Sequence, residues 1–230
     1  MKTKTFIILL LISLSTFFVA CEDENDNNGN TTNGDTTPPI IYLNGASDTS
    51  IALNTQWMDP GATAIDDVDG VVPVTVTGNV NKDLVGNYTL TYKASDSNGN
   101  TSIKTRIVRV KNEADTWAGT YTVTDNASGN TYTYTDNISI SQTKNKYANV
   151  NKFRNYTNCT LELYFTEPIT VNTSIIINSQ SITCGDPYIS RTFFGTGQIT
   201  SITEHTFELF FNENDGTNTI TGVENYQKNN

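Results

Sequence analysis

The sequence predicts an all-β protein with two domains: an N-terminal β-sandwich, then a C-terminal antiparallel β-barrel or second sandwich. Thr, Asn and Tyr are abundant whereas Leu, Ala, Glu and Lys are scarce, and this composition favours strands and turns over helices. Short runs of alternating polar and apolar residues recur between turn signals, and no window has helical spacing. The length of 230 residues suits two small domains behind an N-terminal segment.

Residues 1–20 are predicted to be a cleaved signal peptide. Lys2 and Lys4 precede an apolar run from Phe6 to Ala20, which is shorter than the ~20 apolar residues needed to span a membrane. Cys21 follows directly. This arrangement resembles the signal of bacterial lipoproteins, and the resemblance implies that Cys21 carries the lipid that attaches the protein to its membrane. An unmodified thiol behind an ordinary signal peptide is the alternative.

Residues 21–38 are predicted to be the lipidated cysteine and a disordered acidic tether. The segment has no apolar residue before Ile40, so it cannot bury enough surface to offset the entropy of ordering. Its acidic residues just after Cys21 resemble the surface-export signal of lipoproteins from Bacteroidetes-type bacteria. The resemblance implies an outer-membrane lipoprotein exposed at the cell surface. A solvated tether without a signal is the alternative.

Residues 39–111 predict a small antiparallel sandwich. Residues 86–94 and 102–110 both alternate with period two, and Asp96-Ser-Asn-Gly-Asn100 between them is a strong hairpin turn. Such spacing predicts about seven short strands, which is typical of a sandwich.

Five motifs in this range carry a family resemblance. In order they are Trp57-Met-Asp-Pro-Gly-Ala-Thr-Ala, Asp66-Asp-Val-Asp-Gly, Gly86-Asn-Tyr, Tyr92-Lys-Ala-Ser-Asp-Ser-Asn-Gly-Asn and Arg106-Ile-Val-Arg-Val. Together they resemble the bacterial Ig-like repeat that is similar to the Ig-like domain of pesticidal crystal toxins, a relative of hyalin-repeat modules. The resemblance implies a spacer or adhesive module of surface proteins, without catalysis.

Residues 113–230 predict about eight or nine strands joined by short turns, as in a closed or nearly closed meander. The opening strand places Trp117, Gly119, Tyr121 and Val123 on one face. This opening, the Gly195-Thr-Gly197 strand and the Phe207-Glu-Leu-Phe-Phe211 strand resemble small lipocalin-like barrels of surface lipoproteins. A second Ig-like sandwich is the alternative.

Charge and motifs narrow the classes of function. The net charge of −10 argues against nucleic acid as a partner and against adhesion to anionic headgroups. No nucleophile-elbow, zinc-helix or phosphate-loop motif occurs, so the protein is predicted not to be an enzyme and to need no cofactor. Carboxylates paired only in space stay open, because a sequence does not reveal them.

Two further groups of residues are candidate sites. Asp66, Asp67 and Asp69 could ligate Ca²⁺, but their spacing is not that of an EF-hand loop, so solvated turn acids are the favoured interpretation. Cys159 and Cys184 are predicted to form a disulfide in an oxidising compartment, with buried free thiols as the alternative.

Tyrosines of the C-terminal domain are candidates for stacking on sugar rings, because a phenol offers an apolar plane with a polar edge. They are Tyr132, Tyr134, Tyr147, Tyr156, Tyr164 and Tyr188. Ordinary packing is the alternative for each of them. The predicted function is a cell-surface binding or adhesion accessory protein, with a glycan or another surface protein as partner. A structural spacer, or a carrier of a small apolar ligand in the barrel, is the alternative.

Overall fold

The computed structural model describes residues 34–229, which form two β-domains in succession. The predicted signal peptide, Cys21 and the tether up to residue 33 lie outside the described residues. Within the described part of the chain, no helix is both long enough and apolar enough to cross a membrane. The fold class predicted from the sequence is confirmed.

The first domain is a sandwich of two sheets. One has the strand order β1-β3-β4, and its strands are Ile40–Leu43, Ala62–Asp66 and Gly70–Val72. The other has the order β2-β7-β6-β5, and these strands are Asp48–Ala52, Thr101–Lys111, Gly86–Ser95 and Val74–Thr77. The prediction of a purely antiparallel sandwich is wrong at β2, which pairs with β7 in parallel. The chain crosses from one sheet to the other between β1 and β2, so β2 meets β7 instead of its neighbour in sequence.

The sandwich buries an arginine beside its apolar core. Arg106 lies on the inward face of β7 and is 1% exposed. Its guanidinium forms an ion pair with Asp59 and donates through Nη2 to the Asn44 carbonyl at 2.6 Å. The Tyr92 hydroxyl donates to the same Asp59 carboxylate at 2.6 Å. Three of the five sequence motifs therefore meet in one buried polar cluster.

The second domain is a closed barrel of eight antiparallel strands in the order β10-β11-β12-β13-β14-β15-β8-β9. Each strand pairs with its neighbour in sequence, and the pairing of β15 with β8 closes the meander. In chain order, β8 to β15 are Gly119–Ala127, Asn130–Ile140, Tyr147–Val150, Leu161–Phe165, Ser174–Cys184, Ile189–Ser201, Thr206–Asn214 and Thr219–Lys228. The prediction of a barrel is thus confirmed, and the alternative of a second sandwich is wrong.

The two ends of the barrel differ in what fills them. The proximal end, which holds the turns 141–146, 166–173 and 202–205 and the link to the sandwich, is packed with aromatic rings. Trp117, in a single 3₁₀ turn at Asp115–Trp117, stacks on Phe165 with ring centroids 5.6 Å apart. Phe207 and Tyr226 stack at 4.5 Å. The face that Trp117, Tyr121 and Val123 were predicted to share is therefore part of this core.

A buried asparagine contributes to the link between the domains. Asn112 is 1% exposed, and its amide donates to the carbonyls of Ser141, Lys144 and Tyr147 at 2.9, 3.1 and 2.9 Å. Its Oδ1 accepts from the backbone of Lys146 at 2.8 Å. The β9–β10 turn of the barrel is thereby fixed to the end of the sandwich.

Candidate functional site

The predicted stacking tyrosines do not form one surface. Tyr147 and Tyr164 pair across β10 and β11 with ring centroids 4.9 Å apart. The Lys144 ammonium lies 5.1 Å from the Tyr147 ring and pairs with Glu162 at 2.8 Å. The faces of this half-buried pair are used within the protein, which makes it a cross-strand packing contact and not an open platform.

Tyr134 is a wrong candidate, because it points into the barrel. Its side chain is 8% exposed, and its hydroxyl donates to Glu224 at 2.7 Å. Tyr132 and Tyr188 are 59% and 62% exposed. Tyr132 lies on β9, and Tyr188 lies in the β12–β13 turn, whose strands are three and four positions away from β9 around the eight-stranded barrel. They cannot present one ligand with adjoining rings.

An outer face of the barrel that was not predicted presents two exposed aromatic side chains from neighbouring strands. Phe194 on β13 and Phe210 on β14 are each 42% exposed. The register pairs Phe194 with Asn212 and Thr196 with Phe210, which makes the two phenylalanines diagonal neighbours on one side of the sheet. Val223 of β15 pairs with Phe210 and continues the face. We call Phe194, Thr196, Phe210, Asn212 and Val223 the outer aromatic face.

An open groove of about 500 Å³ lies on this face beside Phe210. Its walls include Thr196, Asn212, Thr221 and Val223, so apolar surface is bordered by hydroxyl and amide groups. A plane of apolar atoms with a polar border is the surface on which a sugar ring packs.

A sequence signal for this face exists. Phe193-Phe194 and Phe210-Phe211 are adjacent pairs in strands, and successive side chains in a strand point to opposite faces. One member of each pair must then point out of a barrel. Phe193 and Phe211 are 0% and 2% exposed, so Phe194 and Phe210 are the outward members.

The distal end of the barrel, opposite the link to the sandwich, is closed by a buried ion network. Glu213 on β14 accepts from Arg191 Nε at 3.0 Å and from Arg154 Nε at 3.2 Å. Arg154 also binds both carboxylate oxygens of Asp125 through Nη1, at 2.7 and 2.5 Å. The Tyr156 hydroxyl donates to Glu213 at 3.1 Å, so this tyrosine belongs to the network and not to an open surface.

Glu224 lies beneath the network and is fully buried. It accepts from the hydroxyls of Tyr134 and Tyr226 at 2.7 and 2.5 Å, and from the backbone of Arg154 at 2.9 Å. Burial raises the pKa of Glu224 to about 8, because the hydrogen bonds that lower it are outweighed by loss of hydration. Burial also raises the pKa of Asp125 above its usual range, against the lowering effect of Arg154.

The carboxylates of this network are buried and bound within the protein, so their role here is structural. Asp125, Glu213 and Glu224 are 3%, 1% and 0% exposed, and each already accepts hydrogen bonds from the protein. The interior wall beside it is tight, since a Cβ built on Gly222 would lie 2.5 Å from the Phe211 ring. The acids are therefore positioned to hold the barrel shut.

The two cysteines meet at the same end. The structure pairs Cys159 with Cys184 as a disulfide, with Cα atoms 5.1 Å apart. The bridge joins the end of β12 to the loop before β11, which carries Arg154. Arg191 also donates to the Cys184 carbonyl, so the disulfide and the ion network support the same loop.

In the acidic turn of the sandwich, the three aspartates that are close in sequence have different surroundings. Asp66 is 4% exposed and accepts from the backbone of Val68 and Asp69. Asp67 is exposed, and Asp69 accepts from the backbone and the hydroxyl of Ser97. The predicted grouping is therefore corrected: the carboxylates that approach Asp66 are those of Asp35 and Asp96. Sequence separation hid this grouping.

Comparisons with known proteins bear on the sandwich. Residues 41–110 match the family described as bacterial surface protein, Ig-like domain, so the sandwich is similar to domains of that family. No curated protein matches the sequence.

Two solved structures show weak similarity. A lipoprotein from Bacteroides thetaiotaomicron is 14% identical over 82% of this chain and 100% of its own, with a TM-score of 0.33. The CBM51-2 and INT domains of Clostridium perfringens ZmpB, solved in complex with GlcNAc, are 15% identical over 83% of this chain and 44% of theirs, with a TM-score of 0.27. The resemblances of the sandwich to crystal-toxin modules and of the barrel to lipocalins stay predictions.

Proposed function

We propose that the protein is a lipid-anchored binding protein of the bacterial cell surface, in which the Ig-like sandwich is a spacer and the barrel contacts a glycan. The Ig-like domain match supports the surface setting. The Cys21 motif supports anchoring to the outer membrane through its lipid. The observation that carries the binding role is the outer aromatic face, with Phe194 and Phe210 as half-exposed diagonal neighbours on one side of the sheet.

The outer wall is a better binding surface than the barrel interior. Aromatic rings occupy the proximal end, and the Arg154–Glu213 network occupies the distal end. A small apolar ligand would have to displace these side chains and leave buried charges unpaired, which costs several kcal/mol. Carriage inside the barrel is therefore not part of the proposal.

The proposed function is not catalytic. The acids with raised pKa values, Asp125 and Glu224, are shielded from solvent and engaged by Arg154 and by tyrosines. A general acid must reach its substrate within hydrogen-bond distance. These carboxyls would reach one only if the barrel opened.

A glycan array with the intact protein purified in detergent tests the binding role. We expect Phe194→Ala and Phe210→Ala each to weaken binding of a captured glycan by roughly 10-fold, since stacking on one ring contributes about 1.4 kcal/mol. Tyr132→Ala is the matched control, because Tyr132 is at least as exposed but lies off the outer aromatic face. This control should bind as the unchanged protein does.

Three results would contradict the proposal. If Tyr132→Ala weakens binding and the phenylalanine variants do not, the site lies at the distal rim. Capture of a surface protein through the same phenylalanines, with no glycan bound, would change the ligand class. Absence of any ligand for the unchanged protein would favour the structural spacer.

The anchor has its own test. We expect Cys21→Ser to move the protein from the membrane fraction to the soluble fraction, because the acyl chains that hold it are absent. On intact cells the unchanged protein should be cleaved by added protease. Protection from protease would place the protein on the inner side of the outer membrane.

A further inference from the structure

Three carboxylates from distant parts of the sequence converge at one end of the sandwich. Asp35 precedes β1, Asp66 ends β3, and Asp96 follows β6. One carboxylate oxygen from each lies within 4.8 Å of the other two. The main chain of Asp35 is also fixed there, since its carbonyl accepts from Asn98 and Asn100 at 3.2 and 2.9 Å. The disordered tether predicted for residues 21–38 therefore ends earlier than predicted, because Asp35 already contacts the sandwich.

A second observation shows that this cluster lacks a partner. Asp66 is 4% exposed, and its Oδ1 accepts from the backbone of Val68 and Asp69 at 3.0 and 2.9 Å. Its Oδ2 is buried and has no hydrogen-bond partner. A buried carboxylate oxygen left without a donor or a positive charge is unfavourable by several kcal/mol.

Among the described residues, no cation forms a salt bridge with these carboxylates. The salt bridges within residues 34–229 include none with Asp35, Asp66 or Asp96. Like charges at this separation disfavour one another unless a positive ion lies between them. Asp96 is further engaged, since its Oδ1 and Oδ2 accept from Asn100 at 2.8 and 2.8 Å, which fixes the carboxylate in place.

The donor set indicates the kind of ion. All three side chains offer oxygen, the ligand that hard cations prefer, and none offers the nitrogen or sulfur typical of zinc sites. Ca²⁺ takes six to eight oxygen ligands at about 2.3–2.6 Å in flexible geometry, so carboxylate oxygens that lie within 4.8 Å of one another can share one ion. Mg²⁺ demands near-ideal octahedral geometry and keeps several waters, which makes it the poorer fit to three protein carboxylates.

We propose that Asp35, Asp66 and Asp96 bind a Ca²⁺ ion. Asp66 Oδ2 supplies the buried ligand, and Asp35 and Asp96 approach it from two other segments. The ion joins the chain that enters the sandwich to the β3–β4 turn and to the β6–β7 hairpin. Calcium thereby stiffens the start of the Ig-like domain at Asp35, independently of what the barrel binds.

Calcium titration of the intact protein after treatment with a chelator tests this site. Extracellular calcium modules bind with dissociation constants of about 0.1–1 mM, so the titration should reach about 10 mM. We expect one Ca²⁺ per chain by calorimetry, and a rise of at least ~5 °C in the melting temperature of the sandwich. Asp66→Asn and Asp96→Asn should each abolish the calcium binding and the rise in melting temperature, although Asn keeps an oxygen for the turn.

Asp67→Asn is the matched control, since it removes one charge from the same turn but lies outside the cluster. It should retain both the binding and the shift in melting temperature. The proposal is overturned if calcium neither binds nor shifts the melting temperature. It is also overturned if Asp67→Asn loses binding as fully as Asp66→Asn, or if Mg²⁺ gives the same shift at the same concentration.

Discussion

The sandwich and the barrel each bury an arginine-centred cluster, but they balance its charge differently. In the sandwich, Arg106 faces one carboxylate, Asp59, which is 24% exposed, and is otherwise bound by backbone carbonyls such as those of Asn44 and Ala46. In the barrel, Arg154 and Arg191 share Glu213, whose side chain is 2% exposed. The barrel thus depends on buried charge pairs where the sandwich depends on backbone acceptors.

This difference shows how each domain manages an open end. A guanidinium that binds carbonyls holds loops of the sandwich together without needing a second buried charge. A barrel whose end must be closed over a polar interior needs side chains from several strands, and Asp125, Glu213 and Glu224 come from β8, β14 and β15. Removal of one of these acids is therefore expected to lower the unfolding free energy more than a comparable change in the sandwich.

The largest effect is expected from Glu213→Ala. The substitution leaves both Arg154 and Arg191 without one buried partner, and breaking such a pair costs about 3–5 kcal/mol of unfolding free energy. Asp59→Ala in the sandwich should cost about 2 kcal/mol, since Arg106 keeps its carbonyl partners. Urea unfolding measures both, with Trp117 as the barrel probe in a Trp57→Phe background and Trp57 as the sandwich probe in a Trp117→Phe background.

Glu213→Gln serves as the control, because it preserves size and a hydrogen-bond acceptor while removing the charge. It should lie between the unchanged protein and Glu213→Ala. The comparison between the domains fails if Asp59→Ala costs as much as Glu213→Ala.

The second effect concerns the disulfide. We expect replacement of both Cys159 and Cys184 by Ser to lower the unfolding free energy of the barrel by about 3 kcal/mol, because the bridge spans 25 residues. The transition of the sandwich should stay unchanged. Thiol titration of the denatured, unreduced protein provides the direct check, and two reactive thiols from these cysteines would contradict the pairing.

How far the sequence predicted these clusters depends on periodicity. Alternation in β7 placed Arg106 on the same face as Val108 and Val110, and this face is buried. The partner Asp59 lies in a loop, where no period applies. In the barrel, Arg154 lies outside any strand and has a φ of 59°, so neither its direction nor its partners followed from spacing.

The sequence did not predict the outer aromatic face for another reason. Residue type alone points to the tyrosines, although parity in β9 places Tyr134 on the same face as Asp136 and Ile138, and this face is buried. The paired phenylalanines held a readable signal, but only once a closed barrel was assumed. Convergence of Asp35, Asp66 and Asp96 was unreadable, because contacts between distant loops leave no trace in local spacing.

The last effect, and the one that separates the domains most clearly, is expected from pH. The pKa of Glu224 rises from its ordinary value of 4.5 to about 8 on folding. Between these values the native barrel keeps a proton that the unfolded chain releases, so the unfolded state binds fewer protons and stability falls as pH rises. The slope is at most about 1.4 kcal/mol per pH unit. Asp125, with a pKa also raised by burial, adds to the fall at the acidic side of this window.

The sandwich should not follow the barrel. Hydrogen bonds from Arg109 and Lys82 hold the pKa values of Asp48 and Asp83 below their ordinary value of 3.8. Their contribution is therefore complete above that value and is lost only in acid, which leaves the sandwich flat from about pH 5 to 8. Thermal melts of the two single-tryptophan variants across this range measure the contrast. Glu224→Gln should flatten the barrel's slope, because Gln cannot titrate, and a slope that persists in this variant would assign the effect to another group.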